Sequence, residues 1–192
     1  MPSEAKPSFD LVVVGASWGG LQALRWLLEG LPGDFPTPLV VAQHRANDSS
    51  DVMVQMLQAH SSLAVSEASD KDAIEQGHVY IAPPDYHLLI EPGSLALSTD
   101  EFVHHSRPSI DVAFESAAET YGDRLVGVIL TGANTDGSAG LKRIRDEGGV
   151  TVVQDPATAA RPEMPTAAMA AVKSTKVLPL RKIAPFLVEI CR

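Results

Sequence analysis

Cysteine is nearly absent from this sequence. A single thiol, Cys191, stands beside the C-terminus, so no internal disulfide can form, and a reducing, cytoplasmic setting is the expectation. Long apolar runs are missing as well: none approaches the roughly 20 residues that cross a bilayer. The opening MPSEAKPSFD is polar and has no hydrophobic stretch of a secretory signal. Membrane insertion is therefore not expected. Cations are scarce: 15 Lys and Arg stand against 24 Asp and Glu, a formal net charge of −9. Nucleic-acid binding rests on clustered cations that neutralise phosphates, so nucleic acid is not expected as a partner. Lys142, Arg143 and Arg145 recur at helical spacing and read as a solvated helix face. His104 and His105 are adjacent, but no Cys or acidic residue joins them at metal-ligand spacing. No metal and no other cofactor is expected.

What is present is an alternation of strands and helices. The 192 residues, 45% hydrophobic and 20% charged, suffice for one domain with a substantial core. Met1 to Ser8 reads as a tail and residues 9–192 as the domain. Apolar or β-branched runs predict strands at Phe9 to Val14, Pro38 to Ala42, Ala64 to Glu67, His78 to Ala82, Leu125 to Leu130, Val150 to Val153 and Lys176 to Leu178. Helical periodicity predicts helices at Leu21 to Leu28, Asp51 to His60, Ile110 to Tyr121, Gly137 to Glu147, Pro165 to Lys173 and Ile183 to Cys191. Two short runs, His87 to Ile90 and Leu95 to Ser98, flank Glu91-Pro92-Gly93-Ser94 and read as a β-hairpin. The class is α/β: a three-layer αβα, doubly wound, mostly parallel sheet with one antiparallel hairpin. Asp155 to Glu163 is left as an ordered loop.

Ligands of open α/β sheets bind beyond the carboxyl ends of the strands, and three reactive side chains fall there. Ser17 follows the first strand in Gly15-Ala16-Ser17-Trp18-Gly19-Gly20. His44 follows the second in Val40-Val41-Ala42-Gln43-His44. Asp136 follows Leu125 to Leu130 in Thr131-Gly132-Ala133-Asn134-Thr135-Asp136-Gly137. A serine, a histidine and a carboxylate are the nucleophile, base and orienting acid of acyl transfer. Both glycine-rich turns open helices, whose first amides can stabilise an oxyanion. Singly, each signal has a plain alternative: a phosphate cradle for the Ser17 turn, a structural histidine for His44, a helix cap for Asp136.

The stretches VVVGASWGG, VVAQH, IAPPDYHLLI, RPSIDVAFESAA, GVILTGANTDGSAGLKRIRDEGG and VVQDPATAARPEMPTAA occur in the order found in CheB methylesterase catalytic domains. From Phe9 onward the chain resembles that family. The resemblance implies a catalytic triad of Ser17, His44 and Asp136, and hydrolysis of γ-glutamyl methyl esters on the cytoplasmic helices of chemoreceptors, with glutamine deamidation in many members. Methylated receptor helices and chemotaxis signalling proteins are the implied partners. Backbone amides of Trp18 and Ala133 are the candidate oxyanion donors. Arg107 and Met164 are candidates for the substrate groove, each with a structural alternative: a turn cap for Arg107, and a core methionine at a helix start for Met164.

Departures from the family pattern accompany the match. Thr-Gly-Met-Gly is usual where this chain has Thr131-Gly132-Ala133-Asn134. Trp18 is bulkier than the usual neighbour of the serine, and Arg45-Ala46 replaces a frequent Met-Pro. The family often carries an N-terminal receiver domain, for which 192 residues leave no room. Two other readings stand beside the esterase at this level: a catalytically weak docking module, and a nucleotide-binding domain built on Gly15 to Gly20. The last lacks a Gly-x-Gly-x-x-Gly fingerprint and a ribose-binding acid after the second strand.

Overall fold

The computed structural model describes residues 9–44 and 50–192. The tail Met1 to Ser8 and the Arg45-Ala46 pair lie outside the described residues. Nine strands and six α-helices occur among the described residues: β1 (Leu11–Ala16), α1 (Gly20–Glu29), β2 (Leu39–Gln43), α2 (Ser50–Gln58), β3 (Ala64–Glu67), β4 (His78–Ile81), β5 (His87–Glu91), β6 (Ser94–Ser98), α3 (Ile110–Tyr121), β7 (Leu125–Ile129), α4 (Ser138–Asp146), β8 (Val150–Gln154), α5 (Glu163–Ala171), β9 (Lys176–Leu178) and α6 (Leu180–Cys191).

Seven strands form one sheet in the order β3-β4-β2-β1-β7-β8-β9, and every pairing in it is parallel. The continuous apolar runs of the inner strands have this origin, because both faces of a parallel sheet are covered. Successive residues of β1 face opposite ways. Val12, Val14 and Ala16 join α1, α2 and α6 in one half of the core. Leu11 and Val13 join α3, α4, α5 and the β5–β6 hairpin in the other. The hairpin does not extend the sheet; it is a separate antiparallel pair.

Two helices begin earlier than their periodicity suggests. α5 starts at Glu163, two residues before Pro165, which the first turn accepts because amides there have no intrahelical acceptor. α6 starts at Leu180, directly after Pro179. Its first turn carries the polar pair Arg181-Lys182, which hides the apolar stripe from a sequence pattern.

The chain leaves β1 for β2 on one side and later returns to β7 on the other. The direction of winding reverses there, and a crevice opens beyond the carboxyl ends of β1, β2 and β7. Ser17, His44 and Asp136 all lie at this crevice. Side chains pack closely against the chain on its floor. A Cβ at Gly20 would sit 1.9 Å from Gln43 Oε1 and 2.8 Å from Ala16 Cβ. Gly33, by contrast, has nothing nearer than 3.6 Å. Gly20→Ala should therefore destabilise the protein by about 1–3 kcal/mol, as overpacking does. Gly33→Ala should be neutral or stabilising by up to about 1 kcal/mol. Urea unfolding of both variants checks the contrast, and equal effects would contradict it.

Candidate active site

Ser17 is held by its backbone before its side chain does anything. Its amide donates to Thr131 O (2.9 Å), and its carbonyl accepts from Gly20 N (2.8 Å) and from Gln43 Nε2 (2.9 Å). Gly19 has φ 77°, a left-handed conformation that costs glycine little, and it lets the chain turn from β1 into α1 within three residues. Thr131 Oγ1 donates to Trp18 O at 2.9 Å, tying this turn to the one that carries Asp136. Among the described residues, neither the Trp18 nor the Ala133 amide donates to another residue, in contrast to that of Ser17. Both residues are exposed at the crevice, where unpaired donors can meet a developing negative charge.

His44 follows β2 directly. Its amide donates to Ala16 O at 3.1 Å, and its carbonyl accepts from Gln43 Nε2 at 2.8 Å. One Gln43 amide group thus links the serine and histidine backbones. The imidazole stands between the other two side chains. Nδ1 lies 3.2 Å from Ser17 Oγ, and Nε2 lies 2.6 Å from Asp136 Oδ2.

Asp136 is buried and does not depend on His44 alone. It sits over the N-terminus of α3, where Ile110 N (2.7 Å), Asp111 N (3.0 Å) and Ser109 Oγ (3.0 Å) all donate to its carboxylate. Burial works against its ionisation. The hydrogen bonds from His44 and from the Asp111 and Ile110 amides outweigh that burial and hold the carboxyl below the usual range. An ionised carboxylate only accepts, so the proton on neutral His44 resides on Nε2. Nδ1 then offers its lone pair toward Ser17. The arrangement can move the Ser17 proton onto Nδ1 and stabilise the resulting imidazolium through Asp136.

Ser109 is the N-cap of α3, with Oγ facing Val112 N as well as Asp136. Its own amide donates to Nδ1 of the buried His87 at 3.2 Å, while His87 Nε2 reaches Glu101 O at 2.9 Å. The chain of contacts therefore runs from the hairpin through Ser109 and Asp136 to His44 and Ser17. The Pro-Ser pair before a helix signals a cap in the sequence; its contact with Asp136, 27 positions away, leaves no local signal. Gln43 and His87 likewise carry no local signal in the sequence of the contacts they make.

His44 lines a cavity of about 340 Å³ together with Asp85, Phe102, His105, Arg107 and Pro108. Arg107 is tied down at the edge of this cavity: it donates to Thr99 O and Asp100 O at 3.0 Å and lies 4.4 Å over the Phe102 ring. Ser17 borders a second cavity with Leu21, Arg25, Gln43 and Met56. Met164 does not line the groove. It is fully buried beneath the 131–136 loop, where a Cβ on Gly132 would come within 2.6 Å of its terminal methyl. The apolar side chain supports that loop from the core side, in line with its alternative reading as a core methionine. No grouping of His, Cys, Asp and Glu that would hold a metal occurs among the described residues, and none of the helices there is long and apolar enough to cross a membrane.

Comparison with known proteins gives one answer. The family model for CheB methylesterase matches residues 12–187. A putative protein-glutamate methylesterase/protein-glutamine glutaminase of Leptospira interrogans is 45% identical over 184 residues, 95% of each chain. The protein-glutamate methylesterase FrzG of Myxococcus xanthus is 39% identical over 194 residues, which are 98% of this chain and 58% of FrzG. The crystal structure of the CheB methylesterase catalytic domain of Thermotoga maritima superposes with a TM-score of 0.90 at 34% identity, over 94% of this chain and 98% of that one.

Asp111 in the first turn of α3 and Asp136 over the helix N-terminus respond to pH in opposite senses. Asp111 accepts from Gly140 N at 2.7 Å, but burial raises its carboxyl to about 6, with the charge of Asp136 adding to the effect. A raised acid costs nothing below its unfolded value near 4, and its penalty grows until pH passes about 6. The depressed Asp136 does the reverse, contributing stability above about 4 that is lost as pH falls through its folded value. Asp111→Asn should therefore stabilise the protein at pH 8 by roughly 1–3 kcal/mol, and the gain should vanish near pH 4. Urea unfolding at both pH values tests this; a gain equal at both would contradict the assignment.

Proposed function

The chain belongs to the CheB methylesterase family, and from that premise we propose that it hydrolyses γ-glutamyl methyl esters on chemoreceptors, releasing methanol, with Ser17 as nucleophile, His44 as base and Asp136 as orienting acid. The observation that carries the assignment is the placement of one imidazole, 3.2 Å from Ser17 Oγ and 2.6 Å from Asp136 Oδ2.

In the reaction, Ser17 Oγ attacks the ester carbonyl while its proton passes to His44 Nδ1. The carbonyl oxygen becomes an oxyanion facing the Trp18 and Ala133 amides. Collapse breaks the bond to methoxide, which leaves as methanol with the proton from His44. The glutamyl group then rests on Ser17 as an ester. A water gives its proton to His44 and attacks this ester, and the departing Ser17 oxygen recovers that proton, leaving a free glutamate. Asp136 stays ionised and steadies the imidazolium in both halves. The same steps on a glutamine side chain release ammonia in place of methanol, which fits the glutaminase in the names of the relatives.

The substrate helix belongs in the crevice between the two cavities. Trp18 is 67% exposed and Met56 41% exposed at its rim, and Arg161 lies 5.7 Å from the Trp18 ring. Apolar side chains beside a cation suit the mixed surface of an amphipathic receptor helix. The partners are then methylated chemoreceptor helices of a chemotaxis-type system, in the cytoplasm.

Two measurements decide the reading. Ser17→Ala should fold normally and lose methanol release from methylated receptor by about 10³-fold or more; full activity in the folded variant would sink the serine mechanism. Ala133→Met tests the alternative of a docking module with a disabled site. If the donor is the Ala133 amide, the rate should change by less than about tenfold. A gain on the scale of about 10²–10³, the worth of an oxyanion donor, would favour the docking module.

A further inference from the structure

Two donors compete for one lone pair in this site. With the His44 proton held on Nε2 by Asp136, Nδ1 has a single in-plane lone pair. Ser17 Oγ lies 3.2 Å from it, and Asn134 Nδ2 lies 3.1 Å from it. The Asn134 amide is oriented by the Asp136 backbone N–H, which donates to its Oδ1 at 3.1 Å. Turning the amide over would set donor against donor at one end and oxygen against the Nδ1 lone pair at the other. Asn134 is half-buried and reaches across from the 131–136 loop to a ring 90 positions earlier in the chain.

We propose that Asn134 is a positioning residue for His44, donating to the same Nδ1 lone pair that must accept the Ser17 proton and so disfavouring the protonated ring. Its consequence for turnover rests on the ester-hydrolysis reading above; its physical content is a property of the free chain. A hydrogen bond to the neutral form of a base disfavours the charged form. Once Nδ1 is protonated, it and Asn134 present N–H groups to each other, where a water in place of the amide could turn and accept. Two effects follow. The base stays available to lower pH, and a proton taken from Ser17 is pressed onward to the leaving methoxide. Other ionisable groups stand around this part of the site: Asp136 behind the ring, Asp111 in the first turn of α3 with His104 against it, and Asp85, His105 and Arg107 around the adjoining cavity. These are common to native and variant chains and cancel in a comparison between them.

The test is a pH titration of the His44 ring nitrogens by ¹⁵N NMR in the full chain, comparing native protein with Asn134→Ala and Asn134→Ser. The neutral native ring should carry its proton on Nε2 and leave Nδ1 bare. Removing the donor should move the midpoint of Nδ1 protonation up by about 0.5–1 unit, the scale of one ordinary hydrogen bond. Serine keeps a short oxygen near the Asp136 amide but cannot reach His44. It should follow alanine, and it carries the test if the alanine variant does not fold. The acid limb of kcat/KM for methanol release should shift upward by the same amount. An unchanged or lowered midpoint in a folded variant, or a proton on Nδ1 of the neutral native ring, would overturn the proposal. Failure of the native chain to release methanol would instead sink the ester-hydrolysis reading while the titration still stands, so the two failures are distinguishable.

Discussion

The Asp136 carboxylate is buried, and a buried charge is tolerated only when it is paired and hydrogen-bonded. Here four donors meet it: Ser109 Oγ, the Ile110 and Asp111 amides, and His44 Nε2. Two of them are first-turn amides of α3 that no carbonyl of the helix can satisfy, and the helix dipole favours a negative charge at this end. The same group therefore closes a helix, fixes a carboxylate in its ionised form, and selects the ring nitrogen on which His44 keeps its proton. Structure and chemistry share one set of hydrogen bonds, so the acid cannot be removed without exposing both.

The other side of the site depends on backbone approach. β1, β2 and β7 are inner strands of a parallel sheet, buried along their whole length, and the reactive groups project from just beyond their ends. The Gln43 amide spans the Ser17 and His44 carbonyls, and Thr131 joins the Ser17 turn to the loop that carries Asn134 and Asp136. Gly20 leaves the space that Gln43 occupies. The Ser17 and His44 backbones are thus tied together through the Gln43 side chain, while the imidazole is oriented by the side chains of Asp136, Asn134 and Ser17.

The outer segments reach the site indirectly. The β5–β6 hairpin packs on α3, and its buried His87 holds the Ser109 amide. Arg107 fastens the neighbouring segment through two carbonyls and the Phe102 ring. Its guanidinium borders the cavity beside His44, but its Nη1 is committed to the two carbonyls, so it shapes the wall of the groove more than it reaches into it.

The order of elements, the parallel sheet and the positions of Ser17, His44 and Asp136 at strand ends were legible in the sequence. Each rests on a local pattern: apolar runs for buried strands, periodicity for helices, glycines at turns, and an ordered set of motifs. The tertiary structure alone decided the rest. Met164 lies in the core under the 131–136 loop, and Ser109 caps a helix and holds a carboxylate at once. Asn134 reaches His44, and Nδ1 rather than Nε2 faces the serine. These contacts join residues 27 to 90 positions apart. They are set by the strand order and by the angle at which each turn leaves the sheet. A side chain's type is written in the sequence, but the direction it faces across a crevice is fixed only once the strands on either side are in register.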